Sequence, residues 1–225
     1  MLRDTDAGEE QREGPVEIAL VGDLTDNESE LTDKLLSVPA GGICTLYIDS
    51  PGGSPYCAMS LAALINLRRL TATAVVTGEC SSAALWPFAA CERRMVMPYS
   101  VFLFHPMKWQ SEEHVGLHEA AEWARHFGQL ERDMDWMLIE MFGQAPNEVA
   151  EWIAGGKYVS GRELAAAGLA ELVDLRRLNL FGFGGGAPVD YPVHGGRPAP
   201  RKRHRSPRLA PVAKATKPRK KRQQQ

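Results

Sequence analysis

Three short apolar runs, at 16–21, 43–48 and 72–77, constrain this chain most, because each closes on a glycine-bearing turn and a helical stretch separates it from the next. Val16-Glu17-Ile18-Ala19-Leu20-Val21 stops at Gly22-Asp23. The second run ends in Asp49-Ser50-Pro51-Gly52-Gly53, and the third meets Gly78 at a tight turn. Short apolar runs bounded by turns read as strands, whereas longer segments with apolar residues three and four apart read as helices. Strands that alternate with helices imply an α/β fold with a largely parallel sheet.

The intervening segments fit that plan. Thr25, with Glu28 three residues on, predicts a capping box. It opens a helix carrying Leu31, Leu35 and Leu36 on one face. A second helix is expected over 55–69. After Gly78 comes an apolar segment at 82–90, then two short strands at 95–97 and 101–104 around a turn at 98–100. A long helix is expected over 113–142. Its stripe includes Leu117, Ala121, Ala124, Phe127, Leu130, Met134, Met137, Leu138 and Met141, and Gly143 stops it. So long an amphipathic helix exceeds what one small domain covers, which makes it a plausible partner surface. Short helices at 147–153 and 161–167, the second capped by Ser160 and Glu163, precede a last strand at 172–175.

Charge divides the chain. From 197 to 225 there are 12 Lys or Arg and no Asp or Glu, which leaves 14 basic against 28 acidic residues in the rest. The expected organisation is a disordered acidic N-terminus over 1–15, one folded domain over 16–177, and a glycine-rich linker with a disordered basic tail over 178–225. The tail has no aromatic residue after Tyr191 to stack on bases, so it suits non-specific contacts with nucleic acid or acidic surfaces. Cys44, Cys57, Cys80 and Cys91 form no C-x-x-C pair and fall in apolar segments, so they read as buried free thiols in a reducing compartment. No metal or cofactor set is recognised. The first 17 residues lack an apolar signal core, and no apolar run approaches the roughly 18 residues needed to span a bilayer. The expectation is a cytoplasmic protein without membrane contact.

Three junctions carry chemistry. A glycine pair after a strand, as in Pro51-Gly52-Gly53, lets the backbone approach a ligand and point an N–H at it. Ser82 follows a glycine turn and starts an apolar helical segment, where free N–H groups favour developing negative charge. His105 ends the apolar run Phe102-Leu103-Phe104 at a sheet edge, where a base would meet Ser82. Taken singly, these read as an ordinary turn, a helix N-cap and a structural histidine. Taken together they supply a nucleophile, a base and backbone donors, the requirements of acyl transfer.

These same segments resemble the proteolytic subunits of Clp proteases. Residues 46–53, Leu-Tyr-Ile-Asp-Ser-Pro-Gly-Gly, are similar to that family's L-Y-I-N-S-P-G-G. Residues 78–84 line up, without a gap from Gly53, with its G-Q-A-A-S-M-G nucleophile segment, and 100–106 resemble its S-R-I-M-I-H-Q-P. Gly22-Asp23-Leu24 and the helix after it resemble the family's first helix, and 158–173 its closing segment. The resemblance covers about 16–175. It implies the spiral α/β fold of βαβ units shared with crotonases, with the long helix as a protruding handle. It implies a serine endopeptidase in which Ser82 attacks a peptide carbonyl, His105 moves the proton, and the N–H groups of Gly53 and Ala83 form the oxyanion hole. It further implies polypeptide substrates, a ring of like subunits or a mixed ring with a paralogue, and an AAA+ unfoldase as partner.

Several positions depart from the family. Its third triad residue, an Asp, is replaced here by Gly156, which cannot orient an imidazole. Glu151 is the nearby carboxylate that would substitute. The segment before Val16 is shorter and more acidic than the family's axial loops, and Met107-Lys108-Trp109-Gln110 replaces a glycine-rich stretch. Lys108, three residues after His105, is a second conceivable base, as in Ser–Lys dyads, against the plainer reading of a solvated lysine. Two alternatives therefore stay open: a weak or inactive ring subunit with a structural or regulatory role, and a crotonase-like enzyme acting on an acyl-CoA.

Overall fold

A computed structural model describes residues 14–109 and 114–174. Strand β1 (Val16–Val21) is followed by helix α1 (Leu24–Ser37), β2 (Ile43–Ser50), α2 (Pro55–Leu67) and β3 (Thr71–Cys80). A 3-10 turn (Ser82–Ala84) runs into the short helix α3 (Leu85–Ala89), then β4 (Arg93–Val96) and β5 (Val101–Leu103). The long helix α4 (Leu117–Phe142) leads to α5 (Pro146–Gly155), β6 (Tyr158–Ser160), α6 (Gly161–Ala166) and β7 (Glu171–Leu172). The sheet order is β1-β2-β3-β4-β7, with every neighbouring pair parallel. β5 pairs in parallel with the end of β3 and antiparallel with β6. The α/β class and the largely parallel sheet are as expected. The acidic N-terminus, the glycine-rich linker and the basic tail lie outside the described residues.

The period of two in the strands selects one buried face. Ile18 and Leu20 in β1, Cys44, Leu46 and Ile48 in β2, and Ala72, Ala74 and Val76 in β3 are all buried. They share a core with Leu31 and Leu35 of α1 and with Leu61 and Ile65 of α2. Each Leu or Ile so removed from water contributes about 1.5–3 kcal/mol before the entropy of ordering it. Leu36, expected on the same face, is exposed instead. All four cysteines are buried and unpaired, and burial raises the pKa of each thiol.

Several boundaries differ from the sequence reading for physical reasons. Asp23, not Thr25, caps α1, because its carboxylate accepts from the Thr25 N–H at 2.8 Å. This frees the Thr25 hydroxyl to accept from the Ser54 N–H at 2.9 Å, tying α1 to the loop that follows β2. Gly78 does not open a turn. It lies within β3, where the β2–β3 register shifts between Ile48 and Ser50 and the Asp49 carboxylate packs against its backbone. That carboxylate accepts the Glu79 N–H at 2.9 Å. Helix α4 starts at Leu117 after Gly116 and ends at Gly143, whose φ of +67° is the left-handed stop the sequence indicates. Of its apolar stripe only the C-terminal end is buried, at Met134, Leu138 and Phe142, while Leu117 is 90% exposed. Ser160 and Glu163 form the expected capping box.

Candidate active site

The site begins where β2 and β3 end side by side. Ser50 pairs with Cys80, and the Ser81 N–H donates to the Ser50 carbonyl at 3.0 Å, so the glycine loop and the serine segment leave the sheet together. In parallel sheets, ligands bind at this carboxyl edge. The Ser50 hydroxyl donates to the Gly22 carbonyl at 2.6 Å and accepts from the Gly52 N–H at 3.2 Å, which fixes the start of the loop. Gly52 and Gly53 have φ of +109° and +140°, conformations that a side chain rarely allows. A Cβ on Gly53 would also run into the Asp23 carboxylate.

Ser82 is not a capping residue. Its φ is +53°, in the left-handed region, while Ser81 holds the cap position without a side-chain cap bond. A non-glycine residue held there carries about 1–2 kcal/mol of backbone strain, and such strain collects at functional sites. Among the described residues, no acceptor takes the N–H of Gly53 or of Ala83.

His105 stands two residues beyond β5, anchored by the Phe104 N–H, which donates to the Lys157 carbonyl at 3.0 Å. Its Nδ1 is 2.6 Å from the Pro106 carbonyl oxygen. A carbonyl only accepts, so Nδ1 bears a proton, and in the neutral ring the lone pair lies on Nε2. The Pro106 carbonyl is an orienting partner with no signature in the sequence.

Ser82, Ala83, Gly53 and His105 line one cavity of about 170 Å³. No hydrogen bond joins Ser82 to His105 among the described contacts. The far walls are apolar, built by Leu85 and Trp86 of α3, Met134 and Leu138 of α4, Phe104, and Ile153 of α5. The Trp86 indole N–H donates to the Met134 carbonyl at 3.2 Å and locks α3 against α4. Behind them, Phe88, Phe102, Phe104, Phe142 and Trp152 pack ring to ring at 5.2–6.2 Å. The half-buried Arg94 gathers the chain ends below. Its guanidinium donates to carbonyls of Ala89, Leu169, Met141 and Phe142 at 2.8–3.5 Å.

Lys108 also lines the cavity, at its exposed rim. Glu151 stands exposed on α5 and is not among the lining residues. Gly156 is the left-handed C-cap of α5, with φ of +61°. The carboxylate that does line the cavity is Asp135 of α4. Burial, and then the charge of Glu131, push its pKa up to about 6. Sequence reading passed over it because Asp135 sits one position off the apolar stripe, between Met134 and Trp136. Among the described residues no cluster of three or more His, Cys, Asp or Glu is placed to hold a metal ion, and no helix is long and apolar enough to cross a membrane.

A serine, a histidine and open backbone N–H groups thus meet at the carboxyl edge of a parallel α/β sheet. The Clp protease family model matches residues 17–176, and the chain belongs to that family. It is 31% identical over 130 residues to an ATP-dependent Clp protease proteolytic subunit from Ostreococcus tauri, and 25% identical over 130 residues to one from Chlorella vulgaris. Each match covers 57% of this chain and 64% of the relative, so the chain spans less than two thirds of their length. A solved structure of a ClpP1 mutant from Listeria monocytogenes superposes with a TM-score of 0.61 at 18% identity. That match covers 72% of this chain and 92% of the other, which shows a ClpP-like fold.

Proposed function

We propose that this chain is a serine peptidase subunit that opens peptide bonds through an acyl-enzyme on Ser82. The observation that carries the reading is the shared cavity. It holds a strained serine, a histidine, and two backbone N–H donors, with no partner for His105 Nε2 or for those donors among the described residues. Ser82 Oγ attacks the carbonyl carbon as His105 Nε2 takes its proton. The oxyanion draws the Gly53 and Ala83 N–H groups, and His105 returns the proton to the departing amine. Water repeats the sequence to release the acid. With Gly156 in place of a carboxylate, the Pro106 carbonyl sets the tautomer but stabilises an imidazolium less well. The proposed enzyme is therefore slow for its class.

The uncovered half of α4 supports a second part of the reading. Leu117 is 90% exposed at the start of a helix of 26 residues, and Ala121 and Ala124 of the same stripe are exposed as well. An apolar face of that length suits another subunit, in a ring of like chains or beside a paralogue, fed with polypeptide by an AAA+ unfoldase. A cytoplasmic setting fits the free thiols.

A fluorophosphonate probe with intact-mass readout tests the chemistry on the assembled protein. One adduct, absent in Ser82→Ala, is the expected result. No adduct on wild-type protein moves the assignment to a non-catalytic ring subunit, for which Gly156 is the specific motive.

A further inference from the structure

The cavity beyond the nucleophile is small and mostly apolar, yet it contains one acid. At about 170 Å³ it falls short of the roughly 300 Å³ at which pockets for whole small ligands begin, and compares with the ~150 Å³ apolar cavity that accepts a benzene ring. It therefore holds one long side chain of a substrate rather than a whole ligand. Among the described residues, Asp135 is the only acidic one that lines it. Among the described residues its carboxylate has no hydrogen bond or ion pair.

We propose that Asp135 makes this cavity selective for peptides with a cationic residue, lysine above all, on the acyl side of the cleaved bond. This rests on the peptidase reading, since it takes Ser82 and Ala83 at one end of the cavity as the reaction centre. A lysine fits both parts of the site: its four-carbon stem lies along Trp86, Met134 and Leu138, and its ammonium meets the carboxylate. A neutral aliphatic chain fills the same walls but leaves the acid half-buried and unpaired. An acidic chain adds a second negative charge to it.

Two basic side chains line the same cavity, and neither pairs with Asp135. His105 directs its Nδ1 proton to the Pro106 carbonyl, and Lys108 stands in solvent at the rim. The environment of Asp135 is set by burial and by Glu131 four residues earlier, both of which oppose its ionisation, with no cation among the described residues offsetting them. A substrate ammonium supplies what the folded chain leaves out. The 28 acidic against 14 basic residues outside the tail draw cationic peptides in the same direction.

The test uses the full chain and two peptide pairs that differ only in lysine against its neutral isostere norleucine. One pair is fluorogenic substrates with that residue next to the cleaved bond. The other is fluorescent product peptides ending in that residue, read by anisotropy in the Ser82→Ala background. Wild-type protein is expected to favour lysine at least tenfold in kcat/KM, and the product peptides to show the same preference in Kd. Asp135→Asn should bring both ratios to about one, and Asp135→Glu should restore part of the preference. A lysine preference in binding without hydrolysis or probe labelling keeps the cavity assignment and removes the peptidase reading. Labelled Ser82 with equal binding of the two peptides, no binding of either, or a lysine preference that survives Asp135→Asn overturns the assignment and leaves the peptidase reading standing.

Discussion

Gly52 lies so close against Ser82 that a Cβ at position 52 would stand 2.8 Å from the Ser82 Cβ, and equally close to the Ser81 carbonyl oxygen. The loop after β2 and the turn after β3 thus form one packed unit, with no room between them for a methyl group. Gly52→Ala meets both that contact and a φ of +109°. It is expected to cost about 2–4 kcal/mol of stability. Because a 1 Å displacement of reacting groups costs about 10²-fold, peptide hydrolysis should fall by that much or more. Urea unfolding and steady-state kinetics measure the two effects; a fully active Gly52→Ala protein is incompatible with this packing.

Ser82 itself offers a way to weigh strain against chemistry. Ser82→Ala and Ser82→Gly both remove the hydroxyl, but only glycine accepts a φ of +53° freely. The glycine variant should unfold about 1 kcal/mol later than the alanine variant, despite glycine's larger chain entropy. Both should fail to take up the fluorophosphonate. Equal stability of the two would mean that the backbone relaxes once the side chain is gone.

Position 156 invites a gain of function. A Cβ there meets nothing within 4 Å, and the left-handed backbone at φ +61° is one that aspartate tolerates at a cost of about 1 kcal/mol. The Lys157 carbonyl accepts the Phe104 N–H, so this stretch runs beside the segment that carries His105. Gly156→Asp is expected to raise kcat/KM by tenfold or more, with a ceiling near the ~10⁴ that the orienting carboxylate contributes in serine proteases. Gly156→Asn, equal in shape and backbone preference but uncharged, is the control and should gain little.

The acid in the cavity leaves a thermodynamic trace that does not depend on any substrate. Its folded pKa of about 6 lies above the ordinary value of 3.8, so protonation favours the folded chain. That contribution is complete below about pH 4 and is lost as pH rises through 6. Solvent screening of this half-exposed group leaves about 1 kcal/mol of destabilisation at pH 7.5. Asp135→Asn should therefore be more stable than wild type at pH 7.5, and no more stable at pH 4, in urea titrations at the two values. A wild type that matches or exceeds the variant at pH 7.5 would argue that the carboxylate has a stabilising partner.

The sequence made the parallel sheet legible because its first three strands announce themselves by short apolar runs, two of them closed by a glycine turn. It made the capping box at Ser160 legible because both partners are local. It missed what depends on distance in space. Thr25 looked like a cap until Asp23, also local but nearer the helix start, took the N–H. Ser82 looked like a cap because left-handed backbone at a serine has no compositional mark. Asp135 carried no mark either, since only the docking of α4 against α3 decides which of its off-stripe residues faces a cavity. The exposed Leu117 shows the opposite limit: a stripe at helical spacing says which face is apolar, not what covers it.

Arg94 has a consequence for motion. One guanidinium holds the carbonyl of Ala89, at the end of the helix that begins beside Ser82, and those of Met141 and Phe142, at the end of α4. Fraying at either helix end is therefore expected to loosen the other, so that the turn at Ser82 opens with the end of α4 rather than before it. In hydrogen exchange, the amides of α3 and of the last turn of α4 should behave as a single foldon, and a charge-free residue at position 94 should split it in two.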